Sequence, residues 1–110
     1  MTAKTEQKPD IECTLNIKVG EYGVVCLPSQ EGSTGYHWLL PTMPNCINRT
    51  ADGWIPVLPG PVFPGEPGFH YFIFRGVTKT ATPAKMTFQL VPPVGHPIVQ
   101  TAICTVIVTP

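Results

Sequence analysis

The sequence predicts an all-β fold, a sandwich or barrel of seven to eight strands, and three observations lead to this prediction. Apolar and polar residues alternate in several short stretches, which is the period of a half-buried strand. Proline accounts for 14 of the 110 residues, and helix interiors exclude proline because its ring clashes with the preceding turn. The chain is also 43% hydrophobic with no net charge, whereas disordered chains combine low hydrophobicity with high net charge.

The first half of the chain alternates predicted strands with one stiff loop. Ile11–Val19 places an apolar residue at every second position, and Tyr22–Leu27 is a second, more apolar run. Pro28–Gly35 is rich in turn-forming Pro, Ser and Gly, so we expect a loop there. Tyr36–Leu40 follows as a third strand, which we expect Pro41 to stop.

The middle of the chain holds seven prolines from residue 41 to residue 67, so it offers no room for an ordinary helix. Residues 41–53 are predicted to be an irregular connection, in which Cys46 and Ile47 act as anchors. Trp54–Leu58 is predicted to be a short strand, and its internal proline places it at an edge or a bulge. Pro59–Gly68 is predicted to be a loop because it holds four prolines and three glycines.

The second half returns to regular strands. Phe69–Val77 is the most aromatic of them, and Lys85–Val91 alternates again with three apolar residues facing inward. Pro92–Pro97 is a third stiff loop, and Ile98–Thr109 is a long, β-branched closing strand. Short strands separated by regular turn signals are typical of an immunoglobulin-like β-sandwich or barrel. We therefore expect one domain over residues 1–110, with residues 1–10 flexible.

The charge pattern excludes several classes of partner. Charged residues make up 13% of the chain and the basic ones are scattered, whereas binding to nucleic acid or to an anionic membrane needs a basic surface. The sequence contains neither the apolar stretch of a signal peptide nor the ~20 apolar residues of a membrane span. We expect a cytoplasmic protein as the sequence stands, or a lysosomal or vesicular one if an N-terminal targeting segment was removed.

The four cysteines show no spacing typical of a metal or redox site. Cys13, Cys26, Cys46 and Cys104 include no C-x-x-C pair and no zinc-finger arrangement with histidine. Three of them, Cys13, Cys26 and Cys104, lie in apolar runs where a thiol is usually a small buried hydrophobe. We expect free thiols rather than disulfides, because intracellular chains rarely form disulfides.

The residues offer little to support catalysis. Cys26 and His37 flank one loop, so a nucleophile–base pair is conceivable, but Cys26 reads as a core thiol in an apolar strand. The other candidates are carboxylates in predicted loops and histidines spread over separate segments, namely Glu31, Asp52, Glu66, His70 and His96. No phosphate-binding glycine motif is present. We therefore predict no catalytic residues, no metal site and no cofactor.

Three stiff and nearly uncharged loops are the unusual feature of the sequence. They are Ser29–Gly35, Val62–Gly68 and Val91–Pro97, and together they hold only two acidic residues. A stiff loop loses little conformational entropy when it binds a partner. Loops of a sandwich also meet at one end, as antibody binding loops do. The residues therefore favour a binding module that presents loops.

The same loops carry motifs that resemble a known family. Ser33–Trp38 after Leu27–Ser29 resembles the first signature, N-P-T-T-G-[YF]-x-W, of chagasin-type inhibitors of papain-like cysteine peptidases. Gly65–Gly68 before an aromatic strand resembles their second signature, G-x-G-G. Leu90–Pro93 lies where the third, R-P-W, would fall. Order and spacing agree over essentially the whole chain, and the amoebic members, the amoebiasins, are the most similar in kind.

The resemblance implies an immunoglobulin-like fold and tight, reversible inhibition, in which three loops form a wedge across the peptidase cleft. The first loop would cover the peptidase's catalytic cysteine, and the other two would contact the two sides of the cleft. The implied contact residues are Gly32, Ser33, Thr34, Gly35, Gly65, Glu66, Pro67, Gly68, Phe69, Val91, Pro92 and Pro93. Tyr36 and Trp38 are expected to support the first loop. The implied partners are papain-like peptidases, own or host, and we expect the free protein to be monomeric.

Three departures from the signatures alter this expectation. Gln30–Gly32 replaces Asn-Pro, Pro67 replaces a glycine, and Val91 and Pro93 replace Arg and Trp. Arg and Trp are frequent binding hot spots, so the third loop would contribute less or select different peptidases. Two other functions stay open at this point, an immunoglobulin-like adhesion or protein-binding module and a small enzyme that depends on Cys26.

Overall fold

The computed structural model describes residues 10–29, 35–57, 67–93 and 98–110, and these residues form strands and no helix. They contain seven strands, which confirms the predicted all-β class. The strands are β1 (Ile11–Lys18), β2 (Tyr22–Ser29), β3 (His37–Thr42), β4 (Ile47–Pro56), β5 (Gly68–Gly76), β6 (Ala84–Val91) and β7 (Gln100–Thr109).

The seven strands form two sheets. One has four strands in the order β1-β7-β6-β3, and the other has three in the order β2-β5-β4. Strand β1 runs parallel to β7, with Ile11 opposite Ala102, and the other pairings are antiparallel. The predicted immunoglobulin-like β-sandwich is therefore confirmed.

The core lies between the sheets and follows from the period-two alternation of the strands. Every second residue of β5 and β7 points inward, from Phe72 and Phe74 on one sheet to Val106 and Val108 on the other. The rings of Phe72 and Phe88 meet across the core with their centroids 4.9 Å apart. Removing such apolar surface from water, at about 25 cal/mol per Å², is the main force that holds the two sheets together.

Strand β4 corrects the prediction for the middle of the chain. Residues 47–53 were predicted to be irregular, yet they pair with β5 along their whole length, with a register shift between Arg49 and Ala51. The segment lacks alternation because residues 48–52 are exposed at successive positions, although their backbones pair with β5. The predicted anchors Cys46 and Ile47 are buried, and Pro56 closes the strand at the sheet edge, as predicted.

Strand β3 also continues past the predicted stop. It extends through Pro41 to Thr42, with a register shift between Leu39 and Thr42. Proline is tolerated there because β3 is the edge strand of its sheet and the ladder is interrupted at the shift.

The burial predicted for Cys26 is wrong. In β2 the inward positions are Val25 and Leu27, so Cys26 faces solvent. The run is apolar on both faces, so alternation could not assign the inward side. Cys104 is fully buried and Cys13 half-buried, and all four cysteines are free thiols in the structure.

The outward faces of the two sheets differ in character. The outward positions of β1 are Glu12, Thr14, Asn16 and Lys18, a polar set. The outer face of the β2-β5-β4 sheet is mainly apolar, and its exposed large apolar side chains are Tyr22, Val24, Ile55 and Phe69. The exposed Arg75 lies beside Tyr22 on this face. None of the described residues forms a helix long and apolar enough to cross a membrane.

Candidate functional site

The three predicted loops leave the sandwich at one end. Ser29, the last residue of β2, lies opposite Gly68, the first residue of β5. On the other sheet, His37 at the start of β3 lies opposite Val91 at the end of β6. The bases of the first, second and third loops are therefore neighbours. The predicted contact residues Gly32, Ser33, Thr34, Gly65 and Glu66 lie outside the described residues.

The base of the first loop is held by two tryptophans. The indole Nε1–H of Trp38 donates a hydrogen bond of 2.9 Å to the carbonyl of Pro28. The indole Nε1–H of Trp54 donates one of 3.0 Å to the carbonyl of Ser29. Trp38 comes from the four-stranded sheet and Trp54 from the three-stranded sheet, so the two consecutive carbonyls are fixed from both sides of the sandwich.

Trp38 and Tyr36, which were predicted to support the first loop, lie at its base. The Trp38 side chain is 3% exposed and belongs to the core, and Tyr36 is half-buried against it. Trp54, in contrast, was missed by sequence reasoning. Nothing in its local sequence signals a partner 25 residues away, although a half-buried indole generally needs an acceptor for its N–H group.

Ser29 adds an unusual polar atom to this base. Its hydroxyl oxygen is buried and has no hydrogen-bond partner among the residues that the structure describes. A buried polar atom without a partner costs about 1–3 kcal/mol. Such groups are rare in native proteins, and this one lies at the junction of the first and second loops.

The end of the first loop contacts the third loop. Gly35 has a φ of +77°, a conformation that side-chain-bearing residues rarely adopt. A Cβ atom at Gly35 would also lie 2.8 Å from Cγ of Pro93, too close for any side chain. Gly35 therefore permits both the turn into β3 and the close packing of these two loops.

The second loop is closed at its base and presents one aromatic side chain. The backbone N–H of Val57 donates a hydrogen bond of 3.1 Å to the carbonyl of Pro67, which joins the two ends of the loop. Gly68 is buried against the Trp54 ring, whereas Phe69 is 38% exposed and points outward. Of the described residues in this loop, Pro67 and Phe69 are therefore the ones with side chains at the surface.

The three predicted contact residues of the third loop differ in exposure. The Val91 side chain is 4% exposed and Pro92 is buried. Val91 is the last residue of β6 and points to the face opposite Leu90, which packs in the core. Pro93 is exposed. Among these three residues, only Pro93 offers its side chain to a partner.

The pair of residues that an enzyme would need is not brought together. Cys26 faces outward from the three-stranded sheet, opposite Tyr71, whereas His37 begins a strand of the other sheet. The Nδ1 atom of His37 is hydrogen-bonded to the carbonyl of Gly35, 3.2 Å away. Within the described ranges, no three His, Cys, Asp or Glu side chains cluster closely enough to hold a metal ion.

One histidine–aspartate pair lies on the inward face below the loop bases. His70 Nε2 and Asp52 Oδ2 are 2.8 Å apart, and the imidazole of His70 stacks on Phe72 with centroids 4.5 Å apart. His70 is buried and lies two residues after Gly68 on the same face of β5. The pair connects β4 to β5 and gives the buried imidazole a hydrogen-bond partner.

The fold is similar to two solved structures. The solution structure of amebosin superimposes with a TM-score of 0.64 at 17% identity, over 92% of this chain and 90% of that chain. PbICP-C, in its complex with falcipain-2, superimposes with a TM-score of 0.56 at 17% identity, over 99% of this chain and 96% of that chain. At this identity the likeness establishes the shared fold. No model of a known protein family and no curated protein matches the sequence.

Proposed function

We propose that the protein is a tight, reversible inhibitor of papain-family cysteine peptidases and has no catalytic activity of its own. Its three loops form a wedge that occludes the active-site cleft. The observation that carries the proposal is the convergence of the three loop bases, which carry the chagasin-type signatures, at one end of the sandwich. The similar fold of PbICP-C, solved in complex with falcipain-2, supports it.

The physical character of the loop end suits this task. The first loop tip, Gly32–Gly35, consists of small and neutral residues, which fit against a catalytic thiolate without charge repulsion or steric clash. The two indole hydrogen bonds and the Gly35–Pro93 contact fix the loop bases before binding, and this lowers the entropic cost of association. A wedge of three loops can bury about 1,600 Å², the usual size of a specific interface.

The contact set that we propose keeps the predicted residues and weights them by exposure. Ser33 and Thr34 of the first loop cover the catalytic cysteine, and Gly65 to Phe69 line one side of the cleft. Pro93 supplies the apolar side chain of the third loop. Glu66 is the only charge predicted in these contacts, and it favours a peptidase with a basic rim.

Inhibition kinetics with a matched pair of variants test the proposal. The wild-type protein should abolish papain activity at a one-to-one ratio, and activity should return on dilution. Thr34→Glu places a bulky charge on the tip and should weaken inhibition by about 100-fold or more, since an unpaired buried charge costs several kcal/mol. Thr14→Glu makes the same change on the exposed polar face of β1 and should leave inhibition unchanged.

Two results would contradict this proposal. Absence of inhibition by micromolar wild-type protein would reject the function itself. Equal inhibition by Thr34→Glu and wild-type protein would reject the placement of the first loop on the active site while leaving the function standing.

A protein-binding module without activity against peptidases is the second candidate function. The observation that favours it is the apolar outer face of the β2-β5-β4 sheet, where Val24 is 54% and Tyr22 61% exposed. Exposed apolar patches of this kind often mark interaction sites. The papain titration separates the two candidates, because this one predicts no loss of peptidase activity.

A further inference from the structure

We infer that Trp54 is a positioning residue, which locks the first loop to the second by a bridge across the central strand of the three-stranded sheet. This inference rests on the proposed function, since it explains how the loops keep the relative position that a wedge requires. Trp54 belongs to none of the three loop signatures. It lies on β4, whose full length was not predicted from the sequence.

The bridge begins on the edge strand β4. Trp54 is paired with His70 of β5, and its side chain points to the same inward face as that histidine. Gly68 lies two residues before His70, so it is the diagonal neighbour of Trp54 across the ladder. The indole leans along the sheet toward the loop end and covers Gly68.

The bridge ends on the opposite edge strand. Gly68 is paired with Ser29 of β2, and the indole Nε1–H reaches the Ser29 carbonyl at 3.0 Å. The side chain and its hydrogen bond together therefore connect two strands that lie two strand spacings apart, close to 10 Å, within one sheet. The indole combines a rigid bicyclic ring, whose six-membered part covers Gly68, with an N–H donor on the five-membered part.

Gly68 is what makes the bridge possible. A Cβ atom at this position would collide with the Trp54 ring and would lie 2.5 Å from the carbonyl oxygen of Ile55. The absence of a side chain at the first residue of β5 thus opens the path of the indole. Trp54, which neither signature contains, therefore connects Gly68 of the second loop to the Ser29 carbonyl of the first loop.

The bridge joins the points at which the chain leaves and re-enters the sandwich. Ser29 is the last residue of β2 before the first loop, and Gly68 is the first residue of β5 after the second loop. Trp54 itself lies two residues before the end of β4, just ahead of the second loop. A shift of one loop base must therefore move the indole and with it the other loop base.

Two substitutions remove the hydrogen bond while an aromatic ring stays at this position. Trp54→Phe lacks the N–H group, and replacement of Trp54 by 3-benzothienylalanine keeps the size of the indole while sulfur takes the place of the N–H. Both should weaken inhibition of papain by about tenfold, the usual worth of one hydrogen bond to a partly buried acceptor. The weaker inhibition should appear as faster dissociation of the complex. The variants keep their contacts with the peptidase but lose the fixed relative position of the loop bases.

The matched control is Phe74→Leu, a core change in the same central strand about 20 Å from Gly68 along β5. Phe74 is fully buried, so this variant lowers the melting temperature without touching the loop bases. Its inhibition constant should equal that of the wild type. A role of Trp54 in overall stability alone would instead make inhibition follow the melting temperature in all three variants.

A second readout does not depend on the peptidase. In the benzothienylalanine and Trp54→Phe proteins, the amide resonances of Gly68 and of Gly35 should both shift, whereas Phe74→Leu should leave them in place. Unchanged Gly35 resonances, or unchanged inhibition by both Trp54 variants while the wild type inhibits, would overturn the inference. Absence of inhibition by the wild type would reject the proposed function, and the resonances would then still decide the coupling.

Discussion

At the scale of single residues, the direction in which a strand residue points, into the core or toward solvent, decides its chemistry. Cys26 and Leu27 are neighbours in an equally apolar run, yet one faces solvent and the other is 1% exposed. Cys13 and Cys104 are direct partners on β1 and β7, so their thiols lie side by side under the four-stranded sheet.

The contact between these two thiols shifts their pKa values in opposite directions. The hydrogen bond from the Cys104 thiol lowers the pKa of Cys13 and outweighs its partial desolvation. Contact with Cys13 raises the pKa of Cys104, and burial raises it further. Burial also raises the pKa of Cys46. At neutral pH, Cys104 and Cys46 are therefore held as thiols, which are poor nucleophiles.

This arrangement predicts the order in which the cysteines react. Treatment of the native protein with iodoacetamide should modify the exposed Cys26 first and Cys13 next, with Cys46 and Cys104 protected until unfolding. Peptide mass spectrometry at successive times gives the order directly. Modification of Cys104 at the rate of Cys26 in the native state would contradict the packing described for β7.

At the scale of elements, the strands with a clear apolar alternation were predicted closely, and the first part of β4, which lacks this alternation, was not. Strands β1, β5, β6 and β7 carry a clear alternation, and their predicted positions agree with the structure within one or two residues. Residues 47–53 of β4 escaped prediction because most of them are exposed, so their pairing with β5 leaves no apolar pattern in the sequence. Thr50 in this segment even uses its hydroxyl to reach the Ile73 carbonyl. No local pattern records such contacts.

The loop bases show the same limit of local patterns. The motif residues Gly35, Trp38 and Gly68 could be named from the sequence, since they follow a recognisable spacing. The partner of each could not, because the Trp54–Ser29 and Gly35–Pro93 contacts join residues far apart in the chain. Burial of Val91 depends on where β6 ends, and strand ends are the least predictable feature of a sequence.

A glycine pair on neighbouring strands tests the account of the β4–β5 ladder. Gly68→Ala should lower the free energy of unfolding by about 1–3 kcal/mol, because the added methyl group meets a ring and a backbone carbonyl that cannot move away. Gly53→Ala is the control, since its methyl group would meet only the outer end of the Tyr71 side chain, which is free to swing toward solvent.

Thermal unfolding of both variants measures the difference. The Gly68 variant should melt several degrees below the Gly53 variant. Similar melting temperatures for the two would show that the Trp54 ring does not lie against Gly68 as described.

At the scale of the whole molecule, the fold relates the low charge and the many prolines to one end of the sandwich. The sandwich places the proline-containing loops at one end, and its opposite sheet faces differ, one polar and one apolar. The molecule therefore offers two surfaces for a partner, the loop end and the apolar face of the β2-β5-β4 sheet. The signatures and the anchored loop bases favour the loop end.

The central claim is that a papain-like peptidase binds at the loop end, and resonance mapping on the labelled protein tests it most directly. Addition of papain should shift or broaden the amide resonances of Gly35, Gly68 and Phe69, while those of Tyr22 and Val24 on the outer face stay in place. Perturbation confined to Tyr22, Val24 and their neighbours, or no perturbation at equimolar papain, would contradict the account.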